Sequence, residues 1–110
     1  MNVRDKTNID RIKEELTFIK KTLNDVSREI FLQNEIIQHA ISMSFITIGE
    51  CANHLSAEFK ERYNEIEWVQ IIAVRNIAAH GYWQLDMEQI WQAALEDIPV
   101  LTDFFDSCLY

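Results

Sequence analysis

Two glycines and one proline in 110 residues exclude most of the folds open to a chain of this size. An all-β domain needs turn-forming residues every ten or so positions. This chain has long unbroken stretches without them, and in those stretches apolar residues recur at helical spacing. Ile9, Ile12, Leu16, Ile19, Leu23 and Val26 step by three or four residues and form one stripe on a helix. With 48% hydrophobic and 25% charged residues the composition is globular rather than disordered. The expected architecture is all-α: an antiparallel bundle of four to five helices forming a single domain over residues 1–110.

The spacing predicts helices over residues 8–27, 29–55, 57–63, 68–80 and 87–107. Ser56 is the expected N-cap of the third, and Asp86, with Gln89 three residues on, that of the last. Gly81 stands where a helix would stop. Pro99 falls inside the last helix and should kink or divide it. Two stretches, Ile41 to Cys51 and Trp68 to Ala79, are more apolar than a bundle this small requires. Either they build a thick core, or part of their surface meets a second copy of the chain. No apolar run is long enough to span a membrane, and the polar first ten residues contain no signal-peptide core. Cys51 and Cys108 lie among apolar neighbours and are expected to stay reduced, in a cytoplasmic protein.

Charge is distributed unevenly. Residues 1–28 sum to +2 and residues 29–110 to −10, for a net charge of −8. Such a chain cannot hold nucleic acid by neutralising many phosphates, so DNA and broad RNA binding are disfavoured. A few cations placed at one site remain compatible with it. Arg75 is the only Lys or Arg beyond Tyr63, and it lies in the most apolar predicted helix. An unpaired charge there would be costly, so a specific partner is expected. Glu50, in the other apolar stretch, is either that partner or a group lining a cleft.

Asn76 and His80 share a helical face, whereas Arg75 and His80 are about 140° apart around the axis. A helix end could thus present an imidazole and an amide, with a long guanidinium reaching across. These groups suit a phosphate centre. The same residues would also be present if Arg75 merely paired with Glu50 and His80 only capped the helix. Cleaving a phosphodiester through a neighbouring hydroxyl needs one base and one acid. This segment supplies one His, and a two-fold pair of chains would supply two. Cys51 and His54, with Glu50 or His39, fall far short of a four-ligand zinc site. Trp91, Phe104 and Phe105 have core spacing; Trp83, in a polar loop, could equally stack on a base.

Arg75-Asn76-Ile-Ala-Ala-His80-Gly81-Tyr82 fits the R-x4-H-x-Y motif and resembles the HepT-like branch of HEPN-domain ribonuclease toxins. Ile48-Gly49-Glu50-Cys51-Ala52 is similar to that branch's I-G-E-A-A segment, and the resemblance covers roughly residues 8–106. It implies a homodimeric, metal-independent endoribonuclease that needs no cofactor and no membrane. Arg75 would position the scissile phosphate, His80 would serve as general acid or base, and Asn76 would orient one of them, with Glu50 in support. It also implies that Tyr82 accepts AMP from a cognate MNT-type nucleotidyltransferase antitoxin, which silences the RNA site. The sequence departs from the branch at Ser44, where a basic residue is expected. With the acidic body, this keeps open a second reading: a dimer of the same lineage that binds nucleotide or partner without cutting RNA.

Overall fold

The computed structural model describes residues 2–108, without the Tyr82 side chain. Six α-helices and one 3₁₀ turn, and no strand, are present among them: α1 (Val3–Thr22), α2 (Arg28–Gln33), α3 (Glu35–His54), α4 (Ala57–Arg62), α5 (Trp68–Ala78), the turn Tyr82–Gln84, and α6 (Met87–Ser107). The all-α bundle read from the sequence is what forms. None of these helices is long and apolar enough to cross a membrane.

Four boundaries differ from the spacing-based reading, each for a local reason. The first helix begins at Val3 rather than near residue 8, because the Asn2 side chain accepts from the Asp5 N–H at 2.7 Å and caps it. It ends at Thr22 rather than 27, because the chain turns through Asp25 at φ 63° and Ser27 already caps α2 by accepting from the Ile30 N–H. The stretch 29–55 is two helices. Asn34, in extended conformation, ends α2 with its own N–H and starts α3 by accepting from the Ile37 N–H at 3.0 Å. The fourth predicted helix stops at Ala78 rather than 80. Its last turn tightens as the His80 and Gly81 N–H groups donate to the carbonyls of Ile77 and Ala78, and Gly81 then turns away at φ 125°. Pro99 leaves α6 undivided.

The α1 stripe is buried as its spacing predicts, with Ile9, Ile12, Leu16 and Ile19 all within 2% of full burial. It packs against α3 and α6, with Phe31 of α2 stacked at 5.3 Å from the Trp91 ring. The Phe59, Tyr63, Trp68, Phe104 and Phe105 rings form a continuous cluster at the other end. Trp91 and Phe105 are therefore core, with Phe104 half-buried against them. Asp5 is a buried carboxylate that accepts from both the N–H and the hydroxyl of Ser56, at 2.8 and 2.7 Å. Those bonds tie the start of α4 to the start of α1, while Ser56 still caps α4 through the Phe59 N–H.

The two strongly apolar stretches separate here. In α3, Ile41, Ser42, Ser44, Phe45, Ile48, Gly49 and Cys51 are all buried, which is the thick-core arrangement. In α5 only Trp68 is buried, and Val69 is 83% exposed. The helix packs chiefly on α3 and leaves an apolar side open.

Candidate functional site

The α3–α5 contact sets the position of the site, and a glycine makes it close. A Cβ at Gly49 would stand 2.9 Å from the Ile71 carbonyl oxygen and 3.0 Å from the Arg75 Cβ. Without it the two backbones approach closely enough to bring the next residue on α3, Glu50, against Arg75 on α5. The Arg75 Nε–H donates to Glu50 Oε2 at 2.5 Å, and Nη1 donates to the Asn76 side-chain oxygen at 2.9 Å. Nη2 has no partner among the described residues. Of the two readings left open for Glu50, the pairing with Arg75 is the one formed. The pair is half-buried, with side chains 38% and 43% exposed, so it borders solvent instead of lying in the core.

The second oxygen of Glu50 is engaged as well. His54, one turn further along α3, lies with Nε2 2.9 Å from Glu50 Oε1. The hydrogen bond from Arg75 first, and the contact with His54 second, hold the Glu50 carboxyl below its ordinary value. Sequence reasoning takes His54 for an ordinary helix-end histidine rather than a metal ligand, and so misses this contact. The available signal was the i, i+4 spacing of Glu50 and His54, which places them on one helical face. Among the described residues no three His, Cys, Asp or Glu side chains cluster closely enough to hold a metal ion. The two cysteines are unpaired, and burial pushes both thiols up, away from nucleophilic thiolates.

His80 lies just beyond the end of α5, exposed, and its imidazole has no hydrogen-bond partner among the described residues. It closes the helix with its backbone N–H but does not cap it with its ring, so the bland capping role is not the one the side chain has. Tyr82 opens the 3₁₀ turn two residues later; its side chain lies outside the described residues. Ser44 is 2% exposed and faces the interior. A basic side chain at this position would have to leave the core to reach solvent, so Ser44 itself does not line the Glu50–Arg75 pair.

The site thus combines a guanidinium held at Nε and Nη1, an amide fixing it, a carboxylate shared with a second imidazole and, nearby along the chain, the His80 imidazole; among the described residues neither Nη2 nor that imidazole has a partner. A guanidinium held in this way is oriented for an anion before the anion arrives. Residues 12–108 match the family of HepT-like ribonucleases. The chain belongs to that family. It is 28% identical over 98 residues to a protein named "Probable ribonuclease HepT" from Thermococcus cleftensis, covering 89% of each chain. It is also 28% identical over 93 residues to a "Putative RNase" of Caldanaerobacter subterraneus subsp. tengcongensis, covering 84% of this chain and 83% of that one. A "Putative RNase" of Methanocaldococcus jannaschii is 28% identical over 75 residues, 68% of this chain and 69% of that one. No solved structure matches the chain.

Proposed function

We propose that this HepT-like chain is an endoribonuclease and the toxin of a toxin–antitoxin pair. The observation that carries the reading is the guanidinium of Arg75 fixed by Glu50 and Asn76, with Nη2 unpartnered among the described residues, five residues ahead of the exposed His80 in a member of a ribonuclease family. In this reaction the 2′-hydroxyl of RNA attacks the adjacent phosphorus and the 5′-oxygen leaves, giving a 2′,3′-cyclic phosphate. Arg75 holds the phosphate and offsets the charge that builds on its oxygens. His80 takes the proton from the 2′-hydroxyl or gives one to the leaving oxygen. No metal is required by these roles. Asn76 and Glu50 keep the guanidinium aimed.

One chain supplies one free imidazole, and the reaction uses a base and an acid. A homodimer joined about the open side of α5, where Val69 and Ile77 are exposed, would supply both. AMP added to Tyr82 by a cognate MNT-type nucleotidyltransferase antitoxin would place a bulky anion two residues from His80 and repel RNA phosphates. The protein would act in the cytoplasm on tRNA or mRNA. The net charge of −8 favours a second reading, a non-cleaving dimer of the same family that binds nucleotide or partner.

The deciding experiment incubates purified chain with total cellular RNA in EDTA, after intact mass measurement has excluded an AMP adduct. Fragments ending in 2′,3′-cyclic phosphate are expected. Arg75→Ala and His80→Ala should each reduce their rate of formation about 10²- to 10⁴-fold. Absence of cleavage by the unmodified chain would favour the second reading.

A further inference from the structure

We propose that Trp83 is a stacking platform for a base next to the scissile phosphate, so that the RNA taken is one presenting an unpaired base there. This rests on the ribonuclease reading above. The chain has three tryptophans. Trp68 and Trp91 are 8% and 7% exposed, whereas Trp83 is 75% exposed. A single exposed indole needs no cover, but it leaves a large amphipathic ring available to stack on a ligand. Trp83 sits in the 3₁₀ turn that packs against α5, three residues after His80.

The ring is also positioned. Gly81 adopts φ 125°, and a Cβ there would fall within the indole, near equally close to Cζ2, Cη2 and Cε2. Near-equal approach to three neighbouring ring atoms puts position 81 over the face of the ring, not its edge. One face of the indole is therefore seated on the Gly81 backbone, immediately after His80, and the ring is otherwise largely exposed. A platform fixed on one side stacks a base at little ordering cost. Neighbours in sequence favour a base over a protein surface. Of the exposed residues flanking it in sequence, Asn76, His80, Gln84 and Asp86 are polar and Ile77 and Ala79 apolar, so the surroundings of the ring are predominantly polar.

Charge supplies the second argument. With three basic side chains in residues 29–110, phosphate contacts alone hold RNA weakly here. Stacking adds affinity that needs no cation, and every base has a face to offer. Bases in a duplex are already stacked on both sides, so the platform selects loops, bulges and ends.

The test uses the unmodified full chain and an uncleavable probe, a mixed-sequence 2′-O-methyl hexanucleotide, beside its abasic counterpart. All three indoles emit, but a change on adding probe reports Trp83, because the other two are buried away from contact with it. The base-bearing probe is expected to quench it and the abasic one to quench much less. Trp83→Leu should abolish the quenching. By competition against a labelled copy of the probe, it should weaken binding about tenfold, and Trp83→Phe should recover part of the loss. In cleavage assays Trp83→Leu should raise KM far more than it lowers kcat. Quenching without cleavage would leave the platform standing and remove the ribonuclease reading. Equal binding of both probes, or equal affinity of wild type and Trp83→Leu, would overturn the platform while leaving cleavage untouched. Emission that changes with protein concentration and not with probe would make Trp83 a contact between copies, and would overturn it too.

Discussion

The Ile41–Cys51 stretch of α3 and the α5 helix are similar in sequence character and opposite in environment. Both are apolar nearly all the way round. The first is enclosed by α1, α2 and α5, and seven of its eleven residues are buried. The second buries one residue and leans on α3 alone to any large extent. Hydrophobicity thus predicts how strongly a helix seeks cover, but the number of neighbours decides whether it finds any. In this molecule the uncovered helix is the one that carries Arg75, Asn76 and the approach to His80. An enclosed helix could not offer those groups to a phosphate.

The largest test of that contrast truncates one aliphatic side chain on each helix. Ile41→Ala removes a fully buried side chain and should cost about 2–5 kcal/mol in urea unfolding. Val69→Ala, at a residue 83% exposed, should change stability by less than about 0.5 kcal/mol. Equal costs at low protein concentration would mean that α5 is covered within the single chain. A Val69 cost that grows as the chain is concentrated would mean that a second copy covers it.

A smaller effect is expected where the two helices meet. Gly49→Ala must push against the Ile71 carbonyl and the Arg75 Cβ, one of them backbone and neither the end of a flexible side chain. Overpacking of this kind costs about 1–3 kcal/mol. Past Trp68, which is held in the aromatic cluster, α5 has little besides α3 to lean on, so this part of the helix should shift rather than the core. Cleavage should therefore fall more than the unfolding midpoint suggests. Unfolding loss with unchanged cleavage would show that α5 is anchored by something other than its contact with α3.

What could be read from the sequence follows the same division. The α1 stripe, the Ser56 and Asp86 caps and the core role of Trp91 and Phe105 were all legible, because each depends on short-range spacing or a local bond. The break at Asn34 was hidden because the apolar pattern runs straight across it, and only the amide's double use as C-cap and N-cap reveals it. Arg75's need for a partner was legible from its isolation among apolar residues, and Glu50 was named for it. The role of Gly49 was not, since a glycine inside a helix has no signature of what crosses it. His54 was overlooked because it was taken for an ordinary helix-end histidine and not for a neighbour one turn from Glu50. That Ser44 faces inward was not legible, because the even apolar character of this stretch does not say which face of α3 looks into the core.

The smallest expected effect, and the sharpest probe of the α3–α5 join, is its pH dependence. Arg75 and His54 hold the Glu50 carboxyl below its ordinary value of about 4.5. A carboxylate lowered in the folded state adds stability that is fully present above that ordinary value. It is lost as the pH falls through the lower folded-state value. The pair is half-exposed, so the contribution is modest and should shrink further in high salt. Urea midpoints of wild type and Glu50→Gln measured from pH 7 down to pH 3 should start apart and converge at the acid end. Cleavage at pH 7 should fall in Glu50→Gln by more than stability does, because an amide grips the guanidinium less firmly and Arg75 loses its aim. If the two midpoint curves run parallel down to pH 3, Glu50 does not titrate as a partner of Arg75. The join would then rest on the Gly49 contact and the apolar packing around it.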